Sequence, residues 1–281
     1  MRSRAIPRTF PVTEYKAFRV ELADKIAHVQ INRPEKLNAM NADFWKEIIE
    51  IFQWADETDE VRVVVLSGAG KHFSAGIDLA LLAQAASHLG KDVGRNARAL
   101  RKTILQLQGS FNAVDKCSKP VLAAIQGYCI GGGIDLISAC DMRYCSADAQ
   151  FSIKEIDMGM AADVGTLQRL PRLIGDGIMR ELAYTGRNVD AEEARRIGLV
   201  NSVYADHAAL LDGVMGLARQ IAAKSPIAIR GTKEMIGYAR DHRVEDGLEY
   251  IATWNAAMLQ SADLQAAMMA HMSKKTPEFA D

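Results

Sequence analysis

Hydrophobic and polar positions change rhythm along the chain, and each change predicts an element. Residues 15–23 and 26–31 alternate apolar and polar side chains around Asp24-Lys25, the pattern of a β-hairpin. A polar loop, Asn32-Arg-Pro-Glu-Lys-Leu-Asn38, follows. Asn41 then stands where a helix cap belongs, ahead of the helical stripe Phe44, Ile48, Ile51 and Phe52. The β-branched run 61–66 and the apolar run 120–125 read as buried strands. Between them lie a glycine-rich turn, 68–76, a segment of helical character, 77–86, and a longer helix with Leu100, Ile104, Leu107, Phe111 and Val114 on one face. Strand and helix keep alternating to about Val203, which predicts an α/β architecture. After Tyr204 the rhythm is helical throughout, over 208–223, 227–239, 244–259 and 264–272. The expected organisation is a flexible tail over 1–14, an α/β core over 15–205 and a helical lobe over 206–281. Met258, Met268, Met269 and Met272 lie on the stripes of the lobe, which suits an intramolecular core or a subunit interface equally.

Composition narrows the classes. The chain has 281 residues, 49% of them hydrophobic, enough for a large core and a second lobe. A net charge of −1 argues against a protein that grips nucleic acid through a basic field. No apolar run is long enough to span a membrane. Cys117, Cys129, Cys140 and Cys145 show no C-x-x-C spacing and sit in apolar stretches, so buried free thiols in a reducing compartment are expected. Arg2, Arg4 and Arg8 precede the first acid, Glu14, as in a basic tail or a short organellar presequence. The tail reading implies a cytoplasmic protein and the presequence reading a mitochondrial one. The final residues, Glu278-Phe-Ala-Asp281, are not a peroxisomal address. His28, His72, His88, His207, His242 and His271 are scattered without metal-ligand spacing.

The candidate chemistry concentrates in residues 131–163, which hold Gly131-Gly-Gly133 and three acids, Asp135 in a first helical turn, then Glu155 and Asp163 on the strand and loop that follow. Their neighbours are apolar or small. Carboxylates in such company either pair with cations, here Lys154, Arg169 or Arg172, or have raised pKa values and move protons. The glycine triplet ends the strand at 120–125 and enters a helix. Phe73-Ser-Ala-Gly-Ile-Asp78 does the same after the strand at 61–66. If the two strands are neighbours, two backbone N–H groups can converge on one oxygen and form an oxyanion hole. Asp78 reads as a helix cap and His72 as a loop residue. Neither junction is a dinucleotide or nucleoside-triphosphate loop: G-x-G-x-x-G is absent here and no G-K-[ST] follows the glycines.

Asn32-Arg-Pro-Glu-Lys-Leu-Asn-Ala39, Phe73–Asp78, Gly127-Tyr-Cys-Ile-Gly-Gly-Gly-Ile-Asp135 and Gln168-Arg-Leu170, in this order, resemble the enoyl-CoA hydratase/isomerase (crotonase) superfamily over roughly residues 15–275. Within it, residues 154–170 and 240–255 are similar to the Δ3,5-Δ2,4-dienoyl-CoA isomerases. The resemblance implies a spiral of β-β-α repeats with a C-terminal helical trimerisation lobe, assembled as a trimer or a dimer of trimers. It implies oxyanion-hole amides at Ile77 and Gly132, within a substrate-binding segment that includes Ala75, Gly76, Asp78 and Leu79. It places the coenzyme A moiety near Arg33, Lys36, Leu37 and Ala39, with Lys274 or Lys275 as a further cation. Coenzyme A would be part of the substrate, and no separate cofactor is expected.

Hydratases of the family carry glutamates where this chain has Asp135 and Glu155. The shortening to Asp135, and a third acid at Asp163 where hydratases have a glycine-rich loop, resemble the dienoyl isomerases instead. The implied reaction shifts a 3,5-dienoyl thioester to the 2,4-isomer, with Glu155 serving C2 and Asp163 serving C6. The rival readings are a 2-enoyl-CoA hydratase using Asp135 and Glu155, and a non-catalytic RNA- or protein-binding homologue.

Overall fold

The computed structural model describes residues 15–87 and 90–281, so the arginine-containing tail and His88 lie outside the described residues. Its centre is a six-stranded sheet in the order β1-β2-β3-β4-β6-β9. β1 (Phe18–Ala23) and β2 (Ile26–Ile31) form the predicted antiparallel hairpin, in register from Phe18↔Ile31 to Ala23↔Ile26. β3 (Val63–Gly68), β4 (Val121–Ile125), β6 (Met142–Ser146) and β9 (Ser202–Tyr204) then add in parallel. A second sheet holds β5 (Tyr128–Ile130), β7 (Gln150–Ser152) and β8 (Val189–Asp190) in the order β5-β7-β8. Two isolated parallel bridges, Ser74↔Cys129 and Met40↔Ile77, carry that layer toward the loops after β2 and β3.

The unbroken apolar runs of β3 and β4 follow from burial on both faces. Val64, Leu66, Val121, Ala123 and Ile125 face one core with Phe44, Ile48, Phe52, Phe111 and Val114. The first three of those five come from α1 (Ala42–Glu57), which Asn41 caps by accepting the Phe44 N–H at 3.0 Å. Phe111 and Val114 come from the C-terminal half of α3 (Val93–Lys116), which follows α2 (Leu79–Ser87). The alternate residues Val63, Val65, Leu122 and Ala124 face a second core with Leu210, Val214, Ala218 and Ala222.

Between β5 and β9 run α4 (Gly132–Ser138), α5 (Thr166–Arg169), α6 (Pro171–Ile174), α7 (Asp176–Thr185) and α8 (Ala191–Arg196). The helical region is α9 (His207–Ala222), α10 (Pro226–Tyr238), α11 (Val244–Met258) and α12 (Ala262–Met272), within a residue or two of expectation. α9 packs into the second core and so covers the sheet, while no described residue of α10, α11 or α12 belongs to that core. Of the methionines on those stripes, Met268, Met269 and Met272 are exposed, which excludes them from an intramolecular core in this chain. The end of the chain returns to the sheet: the buried Arg62 guanidinium pairs with Asp281 at 2.8 Å and donates to the carbonyls of Ala222, Phe279 and Ala280.

Candidate active site

The two glycine junctions meet. The bridge between Met40 and Ile77 is made by the Met40 N–H donating to Gly76 O at 2.8 Å and the Asp78 N–H donating to Met40 O at 3.1 Å. In an extended segment alternate residues face opposite edges, so the Ile77 N–H points away from Met40. On that far side lies Gly132, first residue of α4: a Cβ placed on it would sit 3.7 Å from the Ile77 nitrogen. Neither the Ile77 nor the Gly132 N–H has an assigned partner among the described residues. Two free donors side by side at a helix start are the geometry of an oxyanion hole.

Glycine is demanded at two places here. Gly76 has φ +88°, and a Cβ on it would lie 2.7 Å from Ile130 O and 3.3 Å from the Gly132 nitrogen. Gly131 has φ +54°, and its Cβ would come within 3.1 Å of Glu155 Oε1. The tight turns that bring the amides together therefore also bring the Glu155 carboxyl against them.

Glu155 sits on a 3-10 turn, Lys154–Met158, rather than on the strand expected to carry it. That turn is pinned to the end of α7. Lys154 Nζ and Ser152 Oγ both donate to Gly186 O at 2.7 Å, and Lys154 also pairs with Asp157 at 2.9 Å. Glu155 Oε2 is buried without a hydrogen-bond partner. Burial, then the nearby Asp135 and Asp163 carboxyls, push Glu155 up to about 7. The cavity in front of it, about 410 Å³, is lined mostly by apolar or small residues, among them Ala39, Ile77, Leu79, Leu82, Ile130 and Met160.

Asp163 lies on the loop before α5 and lines a different cavity. Its backbone carbonyl accepts from Gln108 Nε2 of α3 at 2.7 Å. Partial burial raises its pKa. The cations that could have neutralised these acids are engaged elsewhere. Lys154 holds Asp157, Arg169 holds Asp115 and Asn112, and Arg172 holds Asp241.

Asp135 is placed differently from the other two. It is fully buried on α4 and lines neither cavity. Its Oδ1 accepts the Thr166 N–H at 2.6 Å, at the start of α5, and its Oδ2 has no partner. Burial raises its pKa to about 6 against the lowering effect of Thr166, with Asp163 adding to the rise. In sequence Asp135 groups with the two cavity-lining acids. Its short side chain instead ends against the backbone of α5 and ties α4 to the loop carrying Asp163.

Of the residues expected around the substrate, Lys36, Ala39, Ala75, Gly76, Ile77, Asp78 and Leu79 line the Glu155 cavity. Arg33, Leu37 and Lys274 are not among its lining residues. Arg33 is turned inward: its guanidinium donates to Ala39 O and approaches Asp78 Oδ2 at 3.4 Å. Asp78 also accepts the Ala80 N–H, as a cap does. Leu37 joins through its backbone, its carbonyl accepting the Ala75 N–H at 2.9 Å. His72 accepts the Tyr128 N–H at Nδ1 and stacks on that ring, a loop role. Sequence reasoning missed Asn38, Gln108 and Thr166. Asn38 is fully buried, and its amide donates to the carbonyls of Ala69 and His72 at 2.9 and 2.7 Å, locking the polar loop onto the first junction. A polar residue inside a motif was the available signal for Asn38, whereas Gln108 only neighbours a helical stripe.

All four cysteines are free and buried, and burial pushes the Cys117 thiol up to about 11. Among the described residues, no group of three His, Cys, Asp or Glu is placed to hold a metal, and no helix is long and apolar enough to cross a membrane.

Comparison with known proteins decides the family. Residues 21–281 match the enoyl-CoA hydratase/isomerase family model. The chain belongs to the enoyl-CoA hydratase/isomerase family. It is 49% identical over 276 residues to the mitochondrial Δ3,5-Δ2,4-dienoyl-CoA isomerase of Rattus norvegicus, covering 97% of this chain and 84% of that protein. The peroxisomal Δ3,5-Δ2,4-dienoyl-CoA isomerase of Arabidopsis thaliana is 48% identical, with 91% and 92% covered. Among solved structures, an enoyl-CoA hydratase from Bacillus anthracis superposes with a TM-score of 0.86 at 30% identity, covering 94% of this chain and 99% of that one. The architecture is the crotonase fold, and the protein is an isomerase of this family.

Proposed function

We propose that the protein converts 3,5-dienoyl-CoA to 2,4-dienoyl-CoA. The observation that carries this reading is a carboxyl without a cation partner, Glu155, in one cavity with two free N–H donors, with a second such carboxyl, Asp163, close enough to raise its pKa. The thioester oxygen sits on the Ile77 and Gly132 amides. Glu155 takes a proton from C2, the enolate charge collects on the thioester oxygen, and Asp163 delivers a proton to C6. A thioester α-proton is too weakly acidic for a carboxylate acting alone. Two backbone donors supply several kcal/mol, since losing one typically costs about 3 kcal/mol. C2 and C6 are too far apart on an extended chain for one carboxyl to serve both. Raised pKa values suit a pair that must hold a proton near neutral pH.

The burial of Asp135 disfavours the hydratase reading, which needs that carboxylate at the cavity to manage a water. Coenzyme A enters as part of the substrate, with Lys36 and Ala39 at the mouth, and the reaction requires no separate cofactor. The exposed methionines of α12 suit a trimer interface, singly or in a dimer of trimers. The organelle names of the relatives support a mitochondrial or peroxisomal setting, in fatty-acid β-oxidation, over the cytoplasmic expectation. The test is to supply a 3,5-dienoyl-CoA and follow the absorbance of the conjugated 2,4-dienoyl product. A 3-hydroxyacyl product in its place would establish the hydratase.

A further inference from the structure

The segment 163–169 is held from one face of α3. Gln108, Asn112 and Asp115 stand at i, i+4 and i+7 of that helix, so their side chains share a face. Gln108 Nε2 donates to Asp163 O at 2.7 Å, Arg169 Nη2 donates to Asn112 Oδ1 at 2.7 Å, and Arg169 Nε pairs with Asp115 Oδ2 at 3.5 Å. The Arg169 side chain is 15% exposed and reaches back from α5 over the turn that precedes that helix. Its Nη1 donates to Val164 O at 3.4 Å. Gly165 has φ +136°, and a Cβ on it would collide with the same Nη1. The guanidinium thus fills the space that a side chain at position 165 would take.

A turn built on glycine has more backbone freedom than any other, and the Asp163 carboxyl at its start is exposed. Among the described residues no ion pair reaches that carboxyl, so its place is set by the backbone that carries it. We propose that Arg169 is a positioning residue: its guanidinium, braced on Asn112 and Asp115, clamps the Val164–Gly165 turn and so aims the Asp163 carboxyl at the distal carbon of the acyl chain. The inference rests on the isomerase reading above. Arginine suits the task because its rigid planar fork serves α3 and the turn at once, which a single ammonium cannot do. Asp115 keeps a second cation, Arg240 at 2.9 Å, so removal of Arg169 does not strand that carboxylate. The motif Gln168-Arg-Leu170, none of whose residues lines the Glu155 cavity, thereby gains a part in the reaction.

Arg169→Met removes the fork and keeps a long side chain, and its melting curve shows whether it folds. With a 3,5-dienoyl-CoA in D2O, its kcat for the 2,4-dienoyl product is expected to fall roughly 10–10²-fold with KM unchanged. Deuterium entry at C2, which needs Glu155 and the two amides, is expected to continue at the wild-type rate. A purely structural role would lower isomerisation and exchange together or leave the kcat of the folded enzyme intact, and either result would overturn the clamp. Arg169→Lys keeps the charge without the fork and is expected to behave like Arg169→Met; wild-type kcat in the lysine variant would overturn the clamp as well. Should Arg169→Met not fold, Asn112→Ala removes one brace at the helix surface and decides the matter. A several-fold fall in its kcat with exchange intact supports the role, and wild-type kcat overturns it. Failure of the isomerase reading is distinguishable, because then the unmodified enzyme develops no 2,4-dienoyl absorbance, and the positioning role falls with it.

Discussion

The wall around Glu155 and the wall around Asp163 are built by different means. Around Glu155 the backbone does the positioning. Two β-bridges, two glycines at positive φ and a 3-10 turn tied to Gly186 place an amide pair and a carboxyl against one another. Around Asp163 single side-chain contacts do it, Gln108 from α3 holding the loop at Asp163 and Asp135 from α4 holding the start of α5 just after it. The first wall is apolar and the second polar. A fixed oxyanion needs donors that neither titrate nor move, which backbone supplies. A distal proton donor needs contact with water, which a polar loop supplies. The difference implies that damage to the first wall costs more than damage to the supports of the second.

Removing the proposed base has the largest expected effect. Glu155→Gln keeps the shape and should lower kcat by roughly 10²–10⁴. A steady-state rate close to wild type would move the base elsewhere. Gly132→Pro deletes one donor and should cost roughly 10²–10³ in kcat, with a melting curve recorded alongside to separate loss of fold from loss of the hole. On the polar side, Gln108→Ala removes one uncharged hydrogen bond. At about 1 kcal/mol, it should lower kcat only several-fold. A loss as deep as that of Glu155→Gln would show that both walls are equally exacting.

The smallest effect is on stability. The folded protein keeps Asp135 and Glu155 protonated up to about 6 and about 7, where the unfolded chain has already released those protons. Stability from this source is therefore present at low pH and is lost as pH rises from the ordinary carboxylate range through about 7. Denaturant unfolding at pH 5 and pH 8 should show the decline, and Asp135→Asn should flatten it. An unchanged slope in that variant would mean that Asp135 titrates normally.

The same contrast explains what was legible in the sequence. The backbone-built wall left marks: glycines where φ is positive, unbroken apolar runs in β3 and β4, and two junctions of similar spelling. The helices of the C-terminal region were legible because their stripes persist. The polar wall left almost none. Gln108 meets Asp163 across 55 positions through one amide, and no periodicity encodes such a contact. Asp135 reads like its two partners in sequence, since its distinction is which way a short side chain ends. The strand expected to carry Glu155 ends at Ser152, and the chain turns at once into the 3-10 segment Lys154–Met158.

The division of labour between the two walls is tested most directly by Asp163→Asn in D2O with a 3,5-dienoyl-CoA. Asparagine keeps the shape but cannot exchange a proton, while Glu155 and both amides remain. The account predicts that deuterium enters C2 of the substrate while 2,4-dienoyl product fails to accumulate. Full isomerase activity would make Asp163 structural, and equal loss of exchange and isomerisation would place Asp163 at C2 and contradict the assignment.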